Sequence, residues 1–157
     1  MAFCACPAKT VPHSWNQAYT DRSTERAVKN AGGGVYITYR AGTSFASATP
    51  IGEQSSIYRA EVQALQSAAH HLIEQGVQEK NIVFLANSLS VLQSLSAGPS
   101  EATTRQLLAH ICHLSDHNTV VLQWIPAHVG IAENEAADRL AKEDSQKEQP
   151  QHPNIIP

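Results

Sequence analysis

No apolar run in this 157-residue chain approaches the roughly 18 residues that a membrane-spanning helix requires, so no membrane association is expected. Cysteine is scarce. Cys4, Cys6 and Cys112 are odd in number, and the first two lie in a stretch without periodicity, so they build no disulfide framework. A reducing compartment, nuclear or cytoplasmic, is the expected setting. A basic excess is missing as well: 11 Lys and Arg against 14 Asp and Glu leave a net charge of -3. A stand-alone nucleic-acid binder shows a basic footprint, so such a partner would need metal ions or neighbouring domains to supply much of the attraction. The opening MAFCACPAKTVPHSW has no basic stretch followed by an apolar one and does not read as a secretion signal. No internal repeat is present. What is there, 42% hydrophobic and 16% charged residues, is the composition of one folded domain with a sizeable core.

Residues 1–16 carry Pro7 and Pro12 without periodicity and read as a flexible linker or tail. A strand is expected over 17–22, ending near Asp21, and a turn over 29–34, where Gly32, Gly33 and Gly34 could adopt positive φ. VYITYR, residues 35–40, is β-branched and aromatic, and a third strand near 43–50 would complete an antiparallel meander. Over 57–75, Ile57, Ala60, Ala64, Leu65, Ala68, Leu72 and Ile73 recur at helical intervals, with Gly76 as the stop and Ile57, Leu65 and Leu72 assigned to the core. IVFLA, residues 82–86, is a short continuous apolar run, as in a strand buried on both faces of a parallel sheet. Helices are expected from Ser88 to about 97, from near Ser100 to about His117, and from Asn134 to Glu143, with a strand over 120–125 before the last. The polar, Pro-rich segment 145–157 reads as a flexible tail, leaving 17–144 as the domain. Meander followed by crossover helices implies an α/β mixed sheet covered by helices.

Four polar positions fall where buried strands end or helices begin: Asp21, Glu61, Asn87 and Asp138. Sites in open α/β sheets gather at strand ends, so these residues can converge there. Converging carboxylates repel unless cations neutralise them, and oxygen-only ligands suit Mg2+ or Mn2+. Singly, each has a plainer explanation. Asp21 serves as a turn residue, Glu61 complements a helix N-terminus, and Asp138 is a helical surface acid. His110, Cys112, His113 and His117 sit at helical intervals, and an amphipathic face accounts for them as well as a zinc site does.

The strings around the four positions narrow the reading. YTDRS (19–23), YRAEVQAL (58–65), FLANSLSVLQSL (84–95) and WIPAHVGIAENEAADRLAKE (124–143) resemble the ordered blocks of the ribonuclease H family. The closest similarity is to the domain that accompanies reverse transcriptases in non-LTR retrotransposons. The last block, Trp-x-Pro-x-His-x-Gly running into Asn-Glu-x-Ala-Asp, is the most specific. The resemblance implies a ribonuclease H-like fold: a five-stranded mixed sheet, three antiparallel then parallel strands, with helices on both faces. It makes Asp21, Glu61 and Asp138 ligands of two Mg2+ ions, for which Mn2+ can substitute, and puts Asn87 where the family has its remaining Asp. It makes His128 a loop histidine that helps move protons or release product. Ser23 and Ser88 become small polar neighbours of the substrate backbone, and Asn134 and Glu135 the pair that opens the last helix, Asn134 on the substrate side.

The implied activity is endonucleolytic hydrolysis of RNA in RNA–DNA hybrids, leaving a 3′-hydroxyl, by a monomeric domain of a larger reverse transcriptase polyprotein. Hybrid recognition would be by shape and 2′-hydroxyl contacts. Three departures from the family pattern bear on it. Asn87 has the shape of Asp without its charge and offers one acceptor oxygen instead of two, so cleavage is expected to be impaired or abolished. Arg22 stands where Gly is usual and either crowds the substrate backbone or reaches a phosphate. Glu133 replaces a Gly before Asn134. No basic insertion separates the helices at 88–97 and 101–117, so weak binding is expected. The rival reading is a degenerate module that grips a hybrid, or packs on a reverse transcriptase, without cutting. The form of the His128 loop disfavours an exonuclease or integrase.

Overall fold

The longest element, a helix, forms where the sequence shows its helical period. The computed structural model describes residues 2–4, 14–25, 30–53, 56–126 and 130–145. In chain order these hold β1 (Ala2–Cys4), β2 (Asn16–Glu25), β3 (Asn30–Thr38), β4 (Ser44–Glu53), α1 (Ile57–Glu74), β5 (Asn81–Ala86), α2 (Leu89–Ala97), α3 (Ala102–Ser115), β6 (Thr119–Trp124) and α4 (Ala132–Ser145). One sheet runs in the order β1-β6-β5-β2-β3-β4. Strands β2, β3 and β4 are the expected antiparallel meander, while β5 and β6 join parallel to β2 and to each other. This is the expected five-stranded mixed sheet, with the short β1 added parallel to β6 at its edge. No helix among the described residues is long and apolar enough to cross a membrane.

Alternation along the strands splits the core in two. Ala18, Ile82, Phe84, Val120 and Leu122 face α1, α2 and α3, whereas Tyr19, Val83, Leu85 and Ala137 pack on the other side with α4. Helix α1 starts at Ser56, whose hydroxyl accepts from the Arg59 N–H at 3.1 Å, and stops before Gly76 at φ +65. Its alanines at 60, 64, 68 and 69 are buried and bring the helix close to the sheet. Phe84 is fully buried, and truncating it to Ala would cost about 3–5 kcal/mol.

Four expectations are corrected. The glycine run is strand: Gly33 and Gly34 pair with Arg22 and Asp21 of β2, and neither is at positive φ. Gly34 is there for clearance, since a Cβ would collide with the Ala137 carbonyl and stand 2.8 Å from the Ala141 nitrogen. Ile57 is 45% exposed rather than core, because the first residue of α1 precedes the face that turns to the sheet. Residues 2–4 of the expected linker form β1, whose backbone pairs with the free edge of β6. Three residues are too few to show a period. Helix α4 also starts earlier than expected, at Ala132, which leaves Glu133 and Glu135 in its first turn, where acids complement the helix dipole.

Candidate active site

Strands β2 and β5 run parallel with Thr20 beside Ala86, so Asp21, still within β2, and Asn87, just past the end of β5, stand side by side. The Asn87 Nδ2 donates to Asp21 Oδ1 at 3.1 Å, and the Arg22 backbone N–H donates to the same oxygen at 2.7 Å. A carboxylate only accepts, which assigns the amide nitrogen of Asn87 to this contact. Glu61 reaches the same region from α1. It is 1% exposed and lies one turn beyond the helix start rather than in the first turn. Arg22 Nε stands 3.2 Å from Glu61 Oε1, in ion-pair range but without hydrogen-bond alignment, and Glu61 Oε2 has no partner. Asp138 comes from α4, seated by the clearance at Gly34. Lys142, one turn further on, places Nζ 2.6 Å from Asp138 Oδ2.

The acids act on one another. Burial pushes the Asp21 carboxyl above its ordinary value; the hydrogen bonds from Arg22 and Asn87 oppose this, and the charge of Asp138 adds to it. Glu61 is pushed up to about 8, first by burial and then by Asp21, with Arg22 partly offsetting both. Tyr19, on the α4 side two residues before Asp21, donates its hydroxyl to Gln17 Oε1 at 2.9 Å. Burial and then Glu133 push its phenol up to about 12.

The structure therefore brings Asp21, Glu61, Asn87 and Asp138 into one region, with Arg22 inside it. Ser88 follows Asn87 as the α2 cap residue; its hydroxyl lies 3.3 Å from that of Ser90 and makes no capping bond. Asn134 sits one turn before Asp138, buried, with its Oδ1 unpartnered. Ser23 lies in β2 with its side chain outside the described residues, as does all of His128. Sequence reasoning missed Lys142 and Gly34. The spacing of four between Asp138 and Lys142 was a readable signal; nothing local marks Gly34. A cleft of about 610 Å³ lies at the start of β2, lined by Asn16, Tyr39, Arg40, Val77 and Lys80. None of the four positions lines it. The buried, mutually repelling acids locate the chemistry better than the depth of a cleft does.

Oxygen donors of this kind suit a hard divalent cation, and the unpartnered buried Glu61 Oε2 leaves one free. Among the described residues, however, no three acidic, His or Cys side chains stand as a ready ligand set. Each acid instead faces a protein donor: amide on Asp21, guanidinium on Glu61, ammonium on Asp138. The residues fit such ions in kind and place, in an arrangement drawn in on itself.

The fold is similar to that of RNase H1 from the halophilic archaeon Halobacterium salinarum NRC-1. The TM-score is 0.65 and the identity 21%, over 82% of this chain and 96% of that one. LC11-RNase H1, solved in complex with an RNA/DNA hybrid, superposes with a TM-score of 0.64 at 24% identity, over 82% and 97% of the two chains. At these identities the likeness is one of fold. The sequence itself matches the family described as RNase H over residues 14–146, and by that match this chain belongs to the RNase H family.

Proposed function

We propose that the chain grips RNA–DNA hybrids and hydrolyses their RNA strand, at a rate held low by Asn87. The observation that carries this reading is the meeting of three buried carboxylates, from β2, α1 and α4, beside the end of β5. Family membership and a hybrid-bound protein of the same fold support it. Asp21, Glu61 and Asp138 would hold two divalent cations, Mg2+ or Mn2+, with Asn87 offering one carbonyl oxygen. When bound, these ions supply charge compensation and water activation for phosphodiester hydrolysis. Asp21 is oriented by the Arg22 N–H and the Asn87 amide, while α1 keeps bulk water from Glu61. Ser23, Ser88 and Asn134 flank the acids and would contact the hybrid backbone. His128 would help move a proton or release product. The strings around the acids support an origin as the ribonuclease H domain of a non-LTR retrotransposon polyprotein, acting in the nucleus or cytoplasm.

A second reading, binding without cutting, is favoured by the amide of Asn87: it turns its N–H to Asp21 where a fourth carboxylate would face a cation. Single-turnover cleavage of a labelled hybrid, beside gel-shift binding, separates the two. Slow metal-dependent cleavage lost in Asp21→Asn supports the first. Retained binding with no cleavage in either Mg2+ or Mn2+ supports the second.

A further inference from the structure

Arg22 is the feature that the proposed function leaves unused. Its side chain is 38% exposed, yet its Nε lies 3.2 Å from a Glu61 carboxylate that is 2% exposed. The contact lacks hydrogen-bond alignment, and Arg22 Nε has no other hydrogen-bond partner. A charge held by proximity alone, on a long side chain with a route to solvent, is easily withdrawn. The neighbouring Glu61 Oε2 is buried and unpartnered, as a site built for a second occupant would be.

We infer that Arg22 is a resident counter-ion that occupies the divalent-cation position at Glu61 and must swing away before an ion can bind. The inference rests on the reading of Asp21, Glu61 and Asp138 as cation ligands. Its consequence is a raised threshold: the chain stays closed at low divalent-ion concentration and opens only when the ion outcompetes the guanidinium. Because β2 fixes the backbone of Arg22 through its pairing with Gly33, the side chain can leave without moving the strand. Once outside, it is placed beside the acids, where a phosphate of the hybrid would take its charge.

The test is Mn2+ binding by isothermal titration calorimetry in the absence of nucleic acid, at one fixed, mildly alkaline pH. Arg22→Gln removes the charge and leaves a shorter polar side chain, and Arg22→Lys keeps the charge. Lys80→Gln removes the same charge beside the start of β5, at the far end of the sheet from the acids. Arg22→Gln should bind Mn2+ about tenfold more tightly or better, given the strength of a unit charge at such range. Arg22→Lys and Lys80→Gln should stay close to the parent. Circular dichroism shows that each variant is folded, and the Mn2+-induced rise in melting temperature should be largest for Arg22→Gln. Unchanged affinity in Arg22→Gln, alongside tighter binding in Asn87→Asp, overturns the role of Arg22 and leaves the cation site standing. If neither the parent nor any variant binds Mn2+ at millimolar concentration, both readings fall.

Discussion

Replacing Asn87 by Asp should push stability and activity in opposite directions, depending on whether ions are present. In the metal-free chain the Asn87 amide donates to Asp21 Oδ1 at 3.1 Å, and Asp21 is buried at 3% exposure. The substitution removes that donor and sets a second carboxylate beside the first. Two like charges about 4 Å apart repel by roughly 4 kcal/mol at an effective dielectric near 20. Uptake of a proton by one of the pair caps the cost. What remains is about 2–3 kcal/mol, the size of a lost hydrogen bond to a charged group. In chelator the variant should therefore unfold at lower urea than the parent. With Mn2+ the order should reverse, because the added anion now holds an ion. Single-turnover cleavage of a labelled RNA–DNA hybrid should rise by two orders of magnitude or more, about 3 kcal/mol in barrier height. Equal urea midpoints in chelator would show that the Asn87–Asp21 contact is not part of the folded site. Equal cleavage rates at matched Mn2+ would show that position 87 is not a ligand.

Other expected outcomes test the frame around the site. Gly34→Ala forces a methyl group into the α4 backbone and should cost about 3 kcal/mol or more by urea unfolding, together with weaker Mn2+ binding as Asp138 shifts outward. Glu61, raised from 4.5 to about 8, binds a proton more readily folded than unfolded. Its contribution to stability is thus fully present below about 4.5 and lost as pH rises through about 8. Glu61→Gln should flatten that fall in chelator, and a melting temperature that still declines as steeply across this window in the variant would refute the assignment. Hybrid affinity, for a chain of net charge -3, should be weak and should drop steeply with added salt in a filter-binding assay; tight, salt-insensitive binding would contradict it.

Much of this was legible in the residues, for identifiable reasons. Glu61 sits in a segment whose helical period declares its type and Asn87 follows a continuous apolar run that reads as buried strand, and parallel pairing of β2 with β5 aligns Asp21 with Asn87. What was not legible depends on contacts distant in sequence. Glycine runs suggest turns because glycine tolerates positive φ, but at Gly34 the approach of Ala137 decides, and no local pattern carries that. Arg22 and Glu61 lie on different elements, so their pairing follows only once α1 is laid across β2 and β3. Strand β1 is read from its partner's open edge, not from its own three residues.

Charge balance links these contacts to what the site can do. Three carboxylates face two resident cations, Arg22 and Lys142, so the metal-free site retains one unit of negative charge when all three acids are ionised. With Glu61 raised to about 8, it retains less at neutral pH. Two divalent ions entering such a site alone would leave it strongly positive, a burden that a four-carboxylate site does not meet. Arg22 and Lys142, exposed at 38% and 59%, can turn outward, but their charge stays nearby. Under the proposed function, a backbone phosphate of the hybrid would supply the missing negative charge directly at the acids. In this chain, more than in one with the fourth acid, ion and hybrid should favour each other's binding, and linkage requires the effect to be equal in both directions. Under the proposed function Asn87 would thereby do more than weaken one ligand position: it would make occupancy of the site depend on the substrate.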